Sequence, residues 1–240
     1  MHTLTHFRLC PFSRGIRIVL GERRLPFTLA EERPWEGRAQ FLNLNPAGEL
    51  PILAMRDGPT LCGSYAITEY LDALVADDVP GTLQSEGEAA VRVDLFPGGL
   101  DEKAEVRRLV DWFQRKFDRE VSREILIEKV TARLMDGGEA HTPEVAILRA
   151  VRVNLRYHFR YLDFLCGQRR WLAGDQLSFA DMAAAAHVSV LDYLGEIDWS
   201  EAGPARLWYA RMKSRPSMRA ILADRLPGHP PAPHYDDLDF

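Results

Sequence analysis

Cysteine is scarce in this sequence, with three residues among 240, namely Cys10, Cys62 and Cys166. An odd count without metal-like spacing excludes a disulfide framework and points to free thiols in a reducing compartment. A basic excess is missing too: the formal net charge is −5, which leaves no general electrostatic footprint for nucleic acid. No uninterrupted apolar run approaches the length of a membrane span, and Met1 to Phe7 hold no basic stretch followed by an apolar one. Neither membrane insertion nor export is therefore expected, and the expected setting is the cytoplasm. No internal repeat is visible, and no metal site is proposed. His6, His158 and His187 stand singly among apolar residues, the usual setting of a satisfied core histidine.

What the chain does have is a hydrophobic content of 46%, enough to build one large domain or two of ordinary size. Thr3 to Phe7 predicts a short strand. Phe12 to Arg24 predicts a helix, with Ile16, Val19 and Leu20 on one face and Arg14, Arg17 and Arg23 on the other. A second strand fits Pro26 to Leu29, and a short helix fits Glu36 to Leu42. Asn45-Pro46-Ala47-Gly48-Glu49-Leu50-Pro51-Ile52-Leu53 follows, in which Pro51 has no N–H and must open a strand or sit at an edge. Arg56-Asp57-Gly58-Pro59 carries a tight-turn signal, and Ser64 stands where a helix N-cap is wanted before Ala66, Ile67, Tyr70 and Leu71. The order β-α-β-α-β-β-α implies a small mixed sheet with helices on both faces over residues 1–78.

Pro80-Gly81, Gly87 and Pro97-Gly98-Gly99 then punctuate a polar linker over 79–100. From 101 to 226 the pattern is helical throughout. Asp101 to about Met135 is one long amphipathic run, and Pro143 to Cys166 predicts another helix, capped by Thr142. Ser178-Phe179-Ala180-Asp181 reads as a capping box before an alanine-rich, buried helix, so Ser178 and Asp181 are assigned to folding. Two last helices fit Pro204 to Ser214 and Ser217 to Ala223. Residues 227–240 form a proline-stiffened tail ending in Tyr235, Asp236, Asp237, Leu238, Asp239 and Phe240.

A small β-α-β-α-β-β-α domain ahead of an all-helical one resembles the cytosolic glutathione transferases, and the motifs agree in order and spacing over nearly the whole chain. The resemblance implies a thioredoxin-like α/β N-terminal domain followed by an all-α domain, the glutathione S-transferase fold. Leu9-Cys10-Pro11-Phe12-Ser13 looks like the family's catalytic turn, which implies Cys10 or Ser13 as the group handling sulfur. Glu49-Leu50-Pro51 looks like the loop ending in a cis-proline whose strand pairs with the glutathione backbone. Ser64 would hold the γ-glutamyl carboxylate. Where the family usually carries an acidic or amide residue, this chain has Gly63. A charge-assisted contact worth about 1.5–3 kcal/mol is thereby absent, about ten- to a hundredfold in affinity for glutathione.

Glu31-Glu32-Arg33-Pro34-Trp35-Glu36, Arg107 to Phe113 and the tail from Pro233 to Phe240 are similar to bacterial glutathione-transferase-like proteins of cell division that bind FtsZ. That narrower resemblance implies a homodimer acting as an adaptor at the division site, with no cofactor required. Its expected partner contacts are Trp35, Arg119, Arg123 and residues Tyr235 to Phe240. The alternative is an enzyme that conjugates or reduces small electrophiles with glutathione. On the residues alone, several questions stay open. Cys10 at a helix N-terminus near Arg14 and Arg17 is either an activated thiolate or a small inert residue. Trp35 is a lid or a partner contact, and the tail either pins back onto the body or anchors in a partner.

Overall fold

Every second residue of His2-Thr3-Leu4-Thr5-His6 is buried, the period of a strand between two layers, and this segment (β1, His2–His6) is an inner strand of the sheet. The computed structural model describes residues 1–76, 93–135, 141–201 and 203–238. The sheet has the order β2-β1-β3-β4, with β2 at Phe27–Glu31, β3 at Ile52–Ala54 and β4 at Thr60–Cys62. β1 is parallel to β2 and antiparallel to β3, placing Leu4 opposite Leu29 on one side and Leu53 on the other, and β3 pairs antiparallel with β4. α1 (Pro11–Glu22) makes the crossover between the parallel pair, and α2 (Ala39–Leu44) and α3 (Ser64–Ala76) complete the thioredoxin-like unit. The second helix starts later than the sequence suggested. Pro34–Glu36 forms a separate 3-10 turn, closed by Gly37 in a left-handed conformation with φ 57°.

The remaining described elements are helical. α4 opens over Leu100–Asp111 and continues unbroken to Met135, wound as π-helix over Trp112–Ser122 and Ile127–Thr131. It is followed by α5 (Val145–Gln168), α6 (Phe179–Tyr193), α7 (Pro204–Lys213) and α8 (Pro216–Leu222). α5 begins at Val145 with Glu144 in the capping position, so Pro143 and Thr142 lie before it. Ser178 does cap α6. Asp181 Oδ2 accepts from the Ser178 amide and hydroxyl at 3.1 Å each, while Oδ1 accepts from Leu172 N at 2.9 Å and Trp208 Nε1 at 3.0 Å, all buried. Most of the predicted linker, 79–92 of 79–100, lies outside the described residues, as do 77 and 78.

One apolar cluster runs through both parts of the chain, joining Leu4, Ile16 and Leu53 to Phe113, Ala184 and Trp208. α1 is its hinge element, packing on α3 of the small unit and on α6 and α8 of the helical one. This changes the reading of its polar face. Arg14, Arg17 and Arg23 are 0%, 4% and 1% exposed, because the face they occupy is covered by helices from far along the chain. Arg17 donates to Asp224 at 2.6 and 3.0 Å, and Arg23 to Asp72 at 3.1 Å and Val93 O at 2.8 Å, partners that are themselves partly shielded from solvent. Gly21 allows the close approach of α8, since a Cβ there would lie 3.1 Å from the Ser217 backbone.

Candidate functional site

The turn between β1 and α1 places Cys10 at the N-cap of α1, where its Sγ accepts a hydrogen bond from Ser13 N at 3.4 Å. Pro11 fills the first helical position, where a missing N–H costs nothing. The two arginines expected to activate the thiol turn away from it. Arg14 donates through Nε to Arg8 O at 2.7 Å and through Nη1 to Ser189 Oγ at 2.9 Å and Tyr235 OH at 3.2 Å; Arg17 is committed to Asp224. The Cys10 thiol pKa is pushed up, first by burial and further by the nearby Asp118 carboxylate, with the hydrogen bonding from Ser13 opposing. Of the two readings of Cys10 left open by the sequence, activation by Arg14 and Arg17 finds no support in these contacts, and the neutral thiol is favoured. Ser13, the other candidate, is fully buried and its hydroxyl makes no hydrogen bond.

Across the turn, Asn45 shapes the loop before β3 by donating to Glu49 O at 2.8 Å and accepting from Ala47 N at 3.2 Å. The Leu50-Pro51 peptide is cis, and Pro51 O accepts from Gly63 N at 2.9 Å. Gly63, with φ 83°, takes the N-cap position of α3, because its carbonyl accepts the first intrahelical bond, from Ile67 N at 3.1 Å. Ser64 is therefore the first helical residue, not the cap. Its hydroxyl donates to Gln114 Oε1 of α4 at 2.9 Å, so the group expected to meet a γ-glutamyl carboxylate is engaged across the interdomain cleft.

Gln114 and Asp118 are the site residues that sequence reasoning passed over. Both lie on the π-wound part of α4, four residues apart, where the charged face looked solvated. Asp118 is 3% exposed, pairs with Arg123 at 2.9 Å, and has its pKa raised chiefly by burial. Arg123, a predicted partner contact, is tied to Asp118 yet keeps an exposed side chain; Arg119 is likewise exposed and pairs with Glu120 at 3.1 Å.

Trp35 rides on the 3-10 turn and packs edge-on against Phe7, ring centres 5.0 Å apart, within the apolar cluster that also receives Cys10, Leu50 and Tyr235. It is half-buried, and its Nε1 is enclosed without a hydrogen-bond partner. The tail folds back onto the body. Tyr193 OH donates to His229 O at 2.6 Å, Ala232 N donates to Tyr193 O at 2.8 Å, and the His234 ring pairs with Asp192 at 3.0 Å. Tyr235 is 0% exposed, its OH accepting from Arg14 and donating to Ile221 O at 3.1 Å. Tyr235 is thus corrected from an anchor for a partner to a pin within the chain, because Arg14 needs its hydroxyl. Asp236 pairs with Arg225, Leu238 is exposed, and Asp239 and Phe240 lie outside the described residues.

Of the three histidines expected to be satisfied in the core, His158 is, while His6 and His187 each leave one ring nitrogen unpartnered among the described residues. His158 is satisfied, receiving Trp112 Nε1 at 3.2 Å and facing Glu120 at 3.1 Å. His187 has one nitrogen on Ser122 Oγ at 2.8 Å but leaves Nε2 unpartnered, as His6 leaves Nδ1. Among the described residues no group of ligating side chains is arranged for a metal, and no helix is long and apolar enough to cross a membrane.

Comparison with known proteins fits this architecture. Residues 4–78 match the glutathione S-transferase N-terminal domain and residues 148–216 the glutathione S-transferase C-terminal domain. The chain is 44% identical to FtsZ-localized protein A of Caulobacter vibrioides over 99% of its own length and 98% of that protein's. The solved structure of FzlA from C. crescentus superposes with a TM-score of 0.87 at 43% identity, covering 100% of this chain and 99% of that one. A glutathione S-transferase from Sinorhizobium meliloti superposes at 0.89 with 43% identity, covering 100% of both chains. With the thioredoxin-like sheet, the cis-proline loop and the buried capping box all in place, the chain belongs to the glutathione S-transferase family.

Proposed function

We propose that this protein is a homodimeric adaptor of cell division that binds FtsZ filaments, with weak or absent glutathione chemistry. The observation that carries the second half is the setting of Cys10: burial raises the thiol pKa, while its neighbouring arginines serve Asp224, Ser189 and Tyr235. Gly63 supplies no side-chain oxygen and Ser64 is bonded to Gln114, so of the groups that the family resemblance assigns to glutathione, one side chain is missing and another is occupied. The likeness to FtsZ-localized protein A supports the partner. The surface that would meet it comprises Trp35, Arg119, Arg123, Asp236, Asp237 and Leu238.

Co-sedimentation with FtsZ polymers tests this. Arg119→Glu combined with Leu238→Ala should lower pelleting while leaving the melting temperature unchanged; equal pelleting of variant and parent would sink the proposal. Deleting the whole tail is a poor test, because it removes Tyr235 from Arg14. The competing reading, a glutathione-dependent transferase using Cys10 or Ser13, is favoured by the retained cis Leu50-Pro51 loop. It predicts retention on immobilised glutathione and turnover of an electrophile, both lost in Cys10→Ala.

A further inference from the structure

Arg149, Arg152, Arg156 and Arg160 follow one another along α5 in steps of three, four and four residues, which sets them on one side of the helix within an arc of about 80° and over about 16 Å. All four are exposed, and none forms an ion pair or hydrogen bond among the described residues. Exposed arginines elsewhere in the chain behave differently: Arg8 meets Glu31, Arg115 meets Asp111, and Arg225 meets Asp236. Like charges at three- and four-residue spacing repel along a helix, and the carboxylates Asp163, Asp198 and Glu201 line the cleft beside the stripe without forming an ion pair with it. This happens in a molecule whose net charge is −5.

Beside the stripe lies a cleft of about 340 Å³, with Arg152, Arg156 and Arg160 along one wall and the apolar surfaces of Leu155, Phe159 and Ile197 within it. The opposite rim is acidic. Glu196 there is engaged by Lys129, Asp198 Oδ1 accepts from Ser200 N at 3.0 Å and Ser200 Oγ at 2.6 Å, Asp163 accepts from Ala205 N at 2.9 Å, and Glu201 completes the rim. Val153, Tyr157 and Phe164, all more than half exposed, flank the stripe on its other side.

We infer that this face of α5 is a docking site for a carboxylate-rich peptide segment of a partner protein, one that carries an apolar side chain between its acidic residues. The acids lie along the arginines, the apolar side chain enters the cleft over Leu155 and Phe159, and the rim of Asp198 and Glu201 keeps the partner's neutral side toward it. Charge complementarity selects the occupant. A nucleic acid, with a phosphate at every step, has no uncharged side to turn to that rim and no aliphatic group for the cleft. The inference does not depend on FtsZ being the partner.

The test uses the full chain and fluorescein-labelled EDLFDE and EDSSDE peptides, followed by fluorescence anisotropy at low and physiological salt. EDLFDE should bind about tenfold more tightly than EDSSDE and weaken with salt, and the Arg152→Glu/Arg156→Glu variant should lose about tenfold or more of the affinity. The single Arg156→Gln should fall between them, which guards against a misfolded double variant. Absence of EDLFDE binding, equal binding of the two peptides, tighter binding of an oligonucleotide of equal charge, or an unchanged double variant would each overturn the assignment. So would conversion of a dimer to monomers by the double variant, which would give the face to a second copy of this chain.

Discussion

Cys10 sits where a helix dipole should favour a thiolate, and the neutral form prevails because burial outweighs the dipole and the hydrogen bonding from Ser13 and Phe12, with a small further push from Asp118. In a Cys62→Ser/Cys166→Ser background, alkylation of Cys10 should therefore rise with pH only above the range of an ordinary thiol. Asp118→Asn should shift that rise to lower pH, and a profile identical to the parent's would show that the carboxylate is not felt. The buried histidines set a second dependence. Burial lowers His6 from 6.5 to about 4 and His187 to about 3. Below pH 6.5 the unfolded chain takes up protons that the folded chain refuses, so stability falls as pH drops from about 6.5 through about 4, by roughly 3 kcal/mol for His6 alone. Asp118 and Asp181, whose pKa values are raised, shift the other way and offset part of this at the acid end. The urea midpoint should decline across this window, and His6→Gln should flatten the decline.

Helix and strand periods were legible in the chain because each element buries one face locally; that is why the order of elements, the Asp57-Gly58 turn and the Ser178 cap could be read directly. α1 and the tail could not be read that way. The second face of α1 is covered by residues some two hundred positions later, and a local period carries no information about them. For the same reason Gln114 and Asp118 looked like parts of a solvated face, although they close the candidate site from the helical side. The capping box is the element where sequence and energetics meet most directly. Asp181→Ala leaves the donors on Leu172, Ser178 and Trp208 unpaired in the core, and should cost on the order of 3–5 kcal/mol, or roughly 10 °C in melting temperature. Tyr235→Phe should cost less, about 1–3 kcal/mol, and calorimetry would rank the two.

At the scale of the molecule, the two units share one apolar core, yet their polar contacts converge on a few residues. Arg14 from α1 reaches Ser189 on α6 and Tyr235 in the tail, and Tyr235 reaches Ile221 on α8. A homodimer is part of the proposed function, and light scattering should return twice the mass of one chain, 27.3 kDa. The pin at Tyr235 also bears on how the chain is made. Tyr235 is added 221 residues after Arg14, an interval of about 10 to 45 s at ordinary rates of translation. Throughout that time the Arg14 guanidinium lacks its phenol partner, whatever the small domain has already folded. A nascent chain interrupted before Tyr235 would keep Asp224 opposite the Arg14 charge but leave a buried N–H unmet where its two halves should join, a mark by which quality control could tell unfinished copies from finished ones.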